Sequence, residues 1–177
     1  MANPITIPTL ETPRLRLRAP RLDDFEAFAA FRADPVRSVF VGGPYTEAQA
    51  FDQLGELIGH WHLRGFGRFM IADRESDAAL GVTGPYHPAD WPEPEIAWSV
   101  FAHAEGRGIA FEAATAARRY AYDTLGWTTA ISLVSIENTR SASLAKRLGC
   151  TRDPDFIHPD FGRMGCWRHP PPAVVLA

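Results

Sequence analysis

Cysteine is scarce in this chain. Its 177 residues hold two, Cys150 and Cys166, too few for a disulfide-dense secreted scaffold, so both are read as reduced thiols in a cytosol. No apolar run approaches the roughly 18 residues that cross a bilayer. The opening MANPITIPTLETP has no basic start, apolar stretch or small-residue cleavage site of a secretory signal. The expected location is therefore cytoplasmic, with no membrane partner. Basic excess is missing too: 18 Lys and Arg against 21 Asp and Glu leave a formal net charge of -3, which argues against a surface built on nucleic-acid phosphates. Solenoid-like repeats and a Walker loop are absent. What is present is 46% hydrophobic and 22% charged residues, the mixture of one compact domain over 1–177. Its core spans about 10–168, and a Pro-rich tail, 169–177, is expected to lie extended along the surface.

Periodicity places the elements. Arg14 to Arg18, RLRLR, alternates at period two and predicts a short strand. Phe25, Phe28 and Phe31 recur at helical spacing after Asp23 and Asp24, with Pro35 as a stop. Thr46 and Gln49 form a capping-box pattern for a second helix, carried by Phe51, Leu54, Leu57, Ile58 and Trp61 and ending near Gly65. FGRFMIAD and ALGVTGPY predict a hairpin, HPADWPEPE a loop, and EIAWSVF a strand running into AEGRGIA. Ile109 to Leu125 is the longest helix, TTAISLVS a strand, and Asn138 to Gly149 a capped helix. Weaker strand signals surround Phe156 and Met164 to Trp167. This order predicts an α/β fold with a mixed, mostly antiparallel central sheet of about six to seven strands and helices on both faces.

The sharpest chemical signal is VFAHAEGRGIAFE, where a strand passes through two glycines into the longest helix. Unpaired amides and the positive dipole end make such a helix start an anion site. Gly106 and Gly108 let that backbone adopt dihedrals closed to other residues, and Arg107 adds a charge suited to phosphate. A tight turn would use the same glycines. Dinucleotide binding would need a third glycine where Phe111 stands.

Two motifs resemble those of the GCN5-related N-acetyltransferase (GNAT) family. Glu105-Gly106-Arg107-Gly108-Ile109-Ala110 is similar to its pyrophosphate signature [QR]xxGx[GA], departing at Glu105 alone, and ENTRSASLAKRLG, Glu137 to Gly149, resembles ENxxSxxxxxKLG. The opening LETPRLRLRAPRLDD and the strand EIAWSV resemble the branch of the RimJ/RimL ribosomal-protein acetyltransferases. The resemblance covers roughly residues 10–150 and implies a single GNAT-like domain, acetyl-CoA as cosubstrate, no metal, and direct acetyl transfer to an amine, either a protein N-terminus or a small molecule. It leaves a homodimer open. It also implies that Ser99 and Val100 bind the pantetheine arm through their backbone in a cleft between splayed strands. The amides from Gly106 through Arg107, Gly108 and Ile109 to Ala110 would cradle pyrophosphate, and Asn138 would bond the pantetheine from the other wall. The alternative from another class is a non-catalytic acyl-CoA-binding sensor.

Transfer needs a group to take a proton from the amine and one to protonate the thiolate. Glu95 is the base candidate and Ser141 the acid candidate, with the Val100 amide as oxyanion donor. Each has a plainer reading: Glu95 as a solvent-facing strand glutamate, Ser141 as a partner of local backbone, and Asn138 as a helix cap. Tyr86, Trp91, Trp98 and Phe66 lie in segments that rim the acceptor cleft in the family. His60 and His62 face different sides of a helix and make no metal pair. Cys150 reads as a small buried side chain.

Overall fold

The RLRLR alternation does make a strand, with Leu15 and Leu17 fully buried on one face of a sheet. The computed structural model describes residues 6–177. Among them nine strands form: β1 (Leu10–Glu11), β2 (Leu15–Arg18), β3 (Phe69–Asp73), β4 (Ala79–Tyr86), β5 (Glu95–Val100), β6 (Ile131–Ser135), β7 (Thr151–Arg152), β8 (Phe156–His158) and β9 (Gly162–Arg168). The spatial order is β1-β2-β3-β4-β5-β6-β9-β7, with β8 also paired to β9. The sheet exceeds the expected six to seven strands because β1 and β7 are two residues each, too short for an alternation to register.

Among the described residues five α-helices accompany it: α1 (Phe25–Ala33), α2 (Glu47–Arg64), α3 (Ile109–Asp123), α4 (Thr139–Arg147) and α5 (Pro172–Val175). The α2 capping box is reciprocal, Thr46 accepting from the Gln49 amide and Gln49 from the Thr46 amide, and Gly65 ends the helix in the left-handed region. Its buried stripe is Ala50, Leu54, Leu57 and Trp61. Phe51 falls off that stripe and lies exposed, edge-on to Phe25.

One core packs Leu15, Phe69, Ile71 and Ile96 beneath α3, with Phe69 edge-on to Trp61 and Tyr120. A second, on the other face, joins Phe28 and Phe31 of α1 with Leu54 and Leu57 of α2, over Met70 and Val82. Each fully buried large side chain contributes roughly 1.5–3 kcal/mol.

The tail corrects an expectation. His169 is buried, Val175 and Leu176 pack on the larger core, and α5 interrupts any extended run. Proline at the start of a helix loses no backbone bond, so a proline run opens a helix as readily as it stays extended.

Every strand pair is antiparallel except β5 with β6, whose parallel ladder holds at one register pair, Glu95 with Ile131. The sheet therefore opens beyond Glu95, and the candidate site lies in that opening.

Candidate active site

Side chains replace the missing ladder where β5 and β6 part. Glu95 accepts a hydrogen bond from the Leu133 amide at 2.9 Å, and the Ser132 hydroxyl donates to the Ile96 carbonyl at 2.6 Å. His169 Nε2 lies 2.9 Å from that hydroxyl, and Arg118 Nη1 reaches His169 Nδ1 at 3.2 Å while donating to the Leu148 carbonyl. Burial, helped by Arg118, pushes the His169 imidazole down to about 3, so the ring is neutral at physiological pH. An Arg118 donor at Nδ1 leaves the proton on Nε2, giving one chain of donors from Arg118 through His169 and Ser132 to Ile96.

Beyond this bridge β5 presents unpaired backbone. Phe101 donates to Leu80 on the β4 side, whereas the Ile96 carbonyl faces β6. Strand alternation thus turns the Trp98 and Val100 peptide groups into the opening and those of Ser99 toward β4. Ser99 itself stands on the lining of the cleft.

A 390 Å³ cavity occupies one side of the opening and runs to the α3 N-terminus. Gly106 and Gly108 have φ of +73° and +75°, a region open to glycine at little cost. No side chain caps α3, so its first amides face the cavity beside Gly106, Gly108, Ile109 and Ala110. Open space surrounds the place a Gly106 Cβ would take, which fits a bulky phosphate against the backbone. Arg107 contributes differently from the expected phosphate contact: its carbonyl accepts from Arg14 at 2.8 Å, tying the loop to β2, and it is not among the lining residues. The acidic departure, Glu105, is paired with Arg37 at 3.5 Å and Arg140 at 3.2 Å. Both arginines line the cavity, so the carboxylate sits within a cationic rim.

A second cavity of 350 Å³ lies on the other side, lined by Glu95 and by Tyr86, Trp91 and Trp98. Phe66, expected on its rim, instead packs against His60 and Trp127. Glu95 is 5% exposed, contrary to a solvent-facing strand position. Burial raises its carboxyl to about 7 against the opposing pull of the Leu133 amide, Trp91 and Arg68. Among the residues that line both cavities are Trp98, Ser99, Asn138 and Ser141. Asn138 is a cap, accepting from the Ser141 amide at 3.1 Å, and its residue still lines both cavities. Ser141 Oγ accepts from the Trp98 indole at 3.4 Å, which leaves its own proton to donate.

Residues 14–151 match the family model described as an acetyltransferase (GNAT) domain. This chain belongs to the GNAT acetyltransferase family. An acetyltransferase of Agrobacterium tumefaciens str. C58 has a solved structure 38% identical to it, aligned over 96% of this chain and 98% of that one with a TM-score of 0.84. An uncharacterized N-acetyltransferase, p20, of Bacillus licheniformis is 27% identical over 149 residues, 82% of this chain and 83% of the relative. The ribosomal-protein-S5-alanine acetyltransferase of Vibrio fischeri shares the fold at 13% identity, with a TM-score of 0.66 over 90% of this chain and 94% of that one. That likeness is one of fold, and the chain is an acyltransferase by family.

The acetyltransferase holds residues that motif reading missed. Ser132, His169 and Arg118 brace the opening from three separate segments, with no local pattern to join them. Arg32, on α1, is 4% exposed. Its guanidinium lies 4.0 Å over the Tyr45 ring and donates through Nη2 to the Val41 carbonyl at 2.8 Å. Its buried Nε has no hydrogen-bond partner among the described residues. Arg68 stacks 4.0 Å over Tyr86 and reaches Glu56 at 3.7 Å. Both arginines line the Glu95 cavity. Burial holds Arg32 below the ordinary guanidinium value, and the charge of Arg68 adds to the effect. Cys150 and Cys166 are buried, and desolvation lifts both thiols to about 11, which makes them poor nucleophiles. No helix among the described residues is long and apolar enough to cross a membrane.

Proposed function

We propose that this acetyltransferase takes its acetyl group from acetyl-CoA and passes it directly to an amine that approaches from the Glu95 cavity. The observation that carries this reading is the meeting of two unlike cavities at Trp98, Ser99, Asn138 and Ser141. One ends in a phosphate-suited helix start, and the other in a buried carboxylate held near half-ionisation. A cofactor thioester supplies an acetyl carbon open to attack; the chain supplies the geometry and the proton traffic.

The Gly106, Gly108, Ile109 and Ala110 backbone holds pyrophosphate, with Arg37 and Arg140 beside it. The open peptide groups of Trp98 and Val100 pair with the pantetheine arm as an added strand would, and Asn138 faces it from α4. In the Glu95 cavity an amine loses a proton to the Glu95 carboxylate, directly or through one water. A carboxyl near 7 takes a proton at neutral pH and returns it to solvent, the condition for an effective general base. As the N–C bond forms and the C–S bond breaks, the Trp98 amide, the open strand amide at the junction, stabilises the carbonyl oxygen in place of the expected Val100, and the departing thiolate takes a proton from Ser141 or water. One ammonium and one thioester become one amide, one thiol and one released proton.

Titration calorimetry with acetyl-CoA, with NAD alongside, followed by thiol release in the presence of amines, tests this. Binding of acetyl-CoA alone with amine-dependent thiol release is the expected outcome. Failure to bind acetyl-CoA removes the reading.

A further inference from the structure

The Glu95 cavity carries a charge pattern that general base catalysis does not use. Arg32 is almost wholly buried, yet among the described residues no carboxylate lies within ion-pair distance of it and Glu56 acts on it only through its charge: Nη2 is satisfied by the Val41 carbonyl, the flat face lies on Tyr45, and the buried Nε is unpartnered. Arg68 lines the same cavity, near enough for its charge to act on both Arg32 and Glu95. Its contact with Glu56 at 3.7 Å is loose, and that glutamate's side chain is 45% exposed. The other carboxylate on the lining, Asp90, is engaged at 3.0 Å by His158 Nε2, because His158 Nδ1 accepts from the Asp160 and Phe161 amides and the ring proton therefore lies on Nε2.

A buried guanidinium with no ion-pair partner, lying within reach of a second one's charge, is unfavourable unless an anion joins them. Planar carboxylates suit guanidinium donors best.

Resting on the acetyl-transfer reading above, we propose that the acceptor is a small free amino acid, its carboxylate held by Arg32 and Arg68 and its amine presented to Glu95. Phe28, Tyr86 and Trp91 on the same lining supply an aromatic wall, which suits an apolar side chain. A polycation would meet like charge at the arginine end, which disfavours polyamines. The reaction stays balanced as before: the amino acid's nitrogen gains the acetyl group, its carboxylate is unchanged, and coenzyme A leaves as the thiol.

The test presents wild-type protein with acetyl-CoA and matched acceptors. Leucine, methionine and phenylalanine are each paired with the amine lacking only the carboxylate and with the neutral amide, and thiol release is followed. The expected result is a kcat/KM at least about 30-fold higher for the acids, the least that losing one partner of a buried charge pair costs. Arg32→Gln, and separately the less buried Arg68→Gln, should erase that preference with acetyl-CoA affinity unchanged. Equal or better turnover of the decarboxylated amines, of spermidine or of a peptide N-terminus overturns the inference and leaves acetyl transfer standing. So does acetyl-CoA binding with none of the matched set turned over. Loss of acetyl-CoA binding itself places the failure in the underlying reading. Should Arg32→Gln not fold, the wild-type preference and Arg68→Gln still decide.

Discussion

The two cavities that meet at Ser141 are made of different material. The one reaching α3 is a backbone site: two left-handed glycines, an uncapped helix start and the open edge of β5. The Glu95 cavity is a side-chain site, assembled by α1, α2 and several strands and loops into a wall of aromatic rings with one buried acid and two arginines. A backbone site can be occupied by any ligand with the same phosphates and amide arm, whereas a side-chain site changes its ligand with each substitution. The difference fits a common cosubstrate on one side and a family-variable acceptor on the other.

The largest expected effect breaks the backbone site. Gly108→Glu puts a Cβ at φ +75° and a carboxylate at the uncapped helix start, where it takes the phosphate's amides and repels its charge. Calorimetry should show acetyl-CoA affinity reduced by about 100-fold or more, equivalent to roughly 3 kcal/mol. Next is Glu95→Gln, which leaves acetyl-CoA affinity intact while kcat falls by about 10²–10³, the usual contribution of a general base. Wild-type kcat/KM should rise through pH near 7, and the variant's should lose that step. The same substitution separates function from stability. Because the folded pKa of Glu95 lies above its unfolded value, the native state holds the proton more tightly, and stability falls as pH rises from the ordinary carboxylate range to about 7. Thermal melts at pH 8 should find Glu95→Gln more stable than wild type by about 1–3 kcal/mol, a difference that vanishes at pH 4.

How much of this was legible in the sequence follows the same division. The fold's long elements and the phosphate loop could be read because each is contiguous: the α2 capping box, the RLRLR strand, and the glycines at a strand-to-helix junction all depend on neighbours within a few residues. Glu95 could be nominated from its strand, but its burial could not, since that depends on Trp91 and on the Leu133 amide across the opening. Arg32 stayed hidden because arginine on a helix otherwise rich in phenylalanine and alanine is an ordinary surface residue until tertiary packing encloses it. His169 was lost in a proline-rich tail whose composition suggests an extended surface run, though its burial against Ser132 braces the sheet.

That brace gives a smaller effect that sharpens the comparison. Ser132→Ala leaves the Ile96 carbonyl and His169 Nε2 without their shared partner, which should cost about 1–3 kcal/mol in urea unfolding. The pH signature is opposite to that of Glu95. With its folded pKa pushed down to about 3, His169 stays neutral in the native state while the unfolded chain takes up the proton. Acidification below the ordinary imidazole range therefore destabilises wild type. Ser132 lines the Glu95 cavity alone, but the brace spans the opening that both cavities enter, so acetyl-CoA and acceptor affinities should weaken together if it sets the width of that opening. A change in one alone would detach it from the split.

The smallest effect is expected at the point the cavities share. Ser141 Oγ has the Trp98 indole as donor and retains one proton to give, the right arrangement for an acid. An alkyl thiolate, however, resembles a cysteine side chain, with a pKa near about 8.5, and at neutral pH leaves with little assistance. The charge that most needs stabilising is on the carbonyl oxygen, and a fixed strand amide serves there without reorganisation. Ser141→Ala should accordingly lower kcat by less than about tenfold, with the loss growing as pH rises and solvent protons become scarcer. A loss as large as that of Glu95→Gln would show instead that proton donation limits the reaction, and that the junction contributes as much chemistry as either cavity.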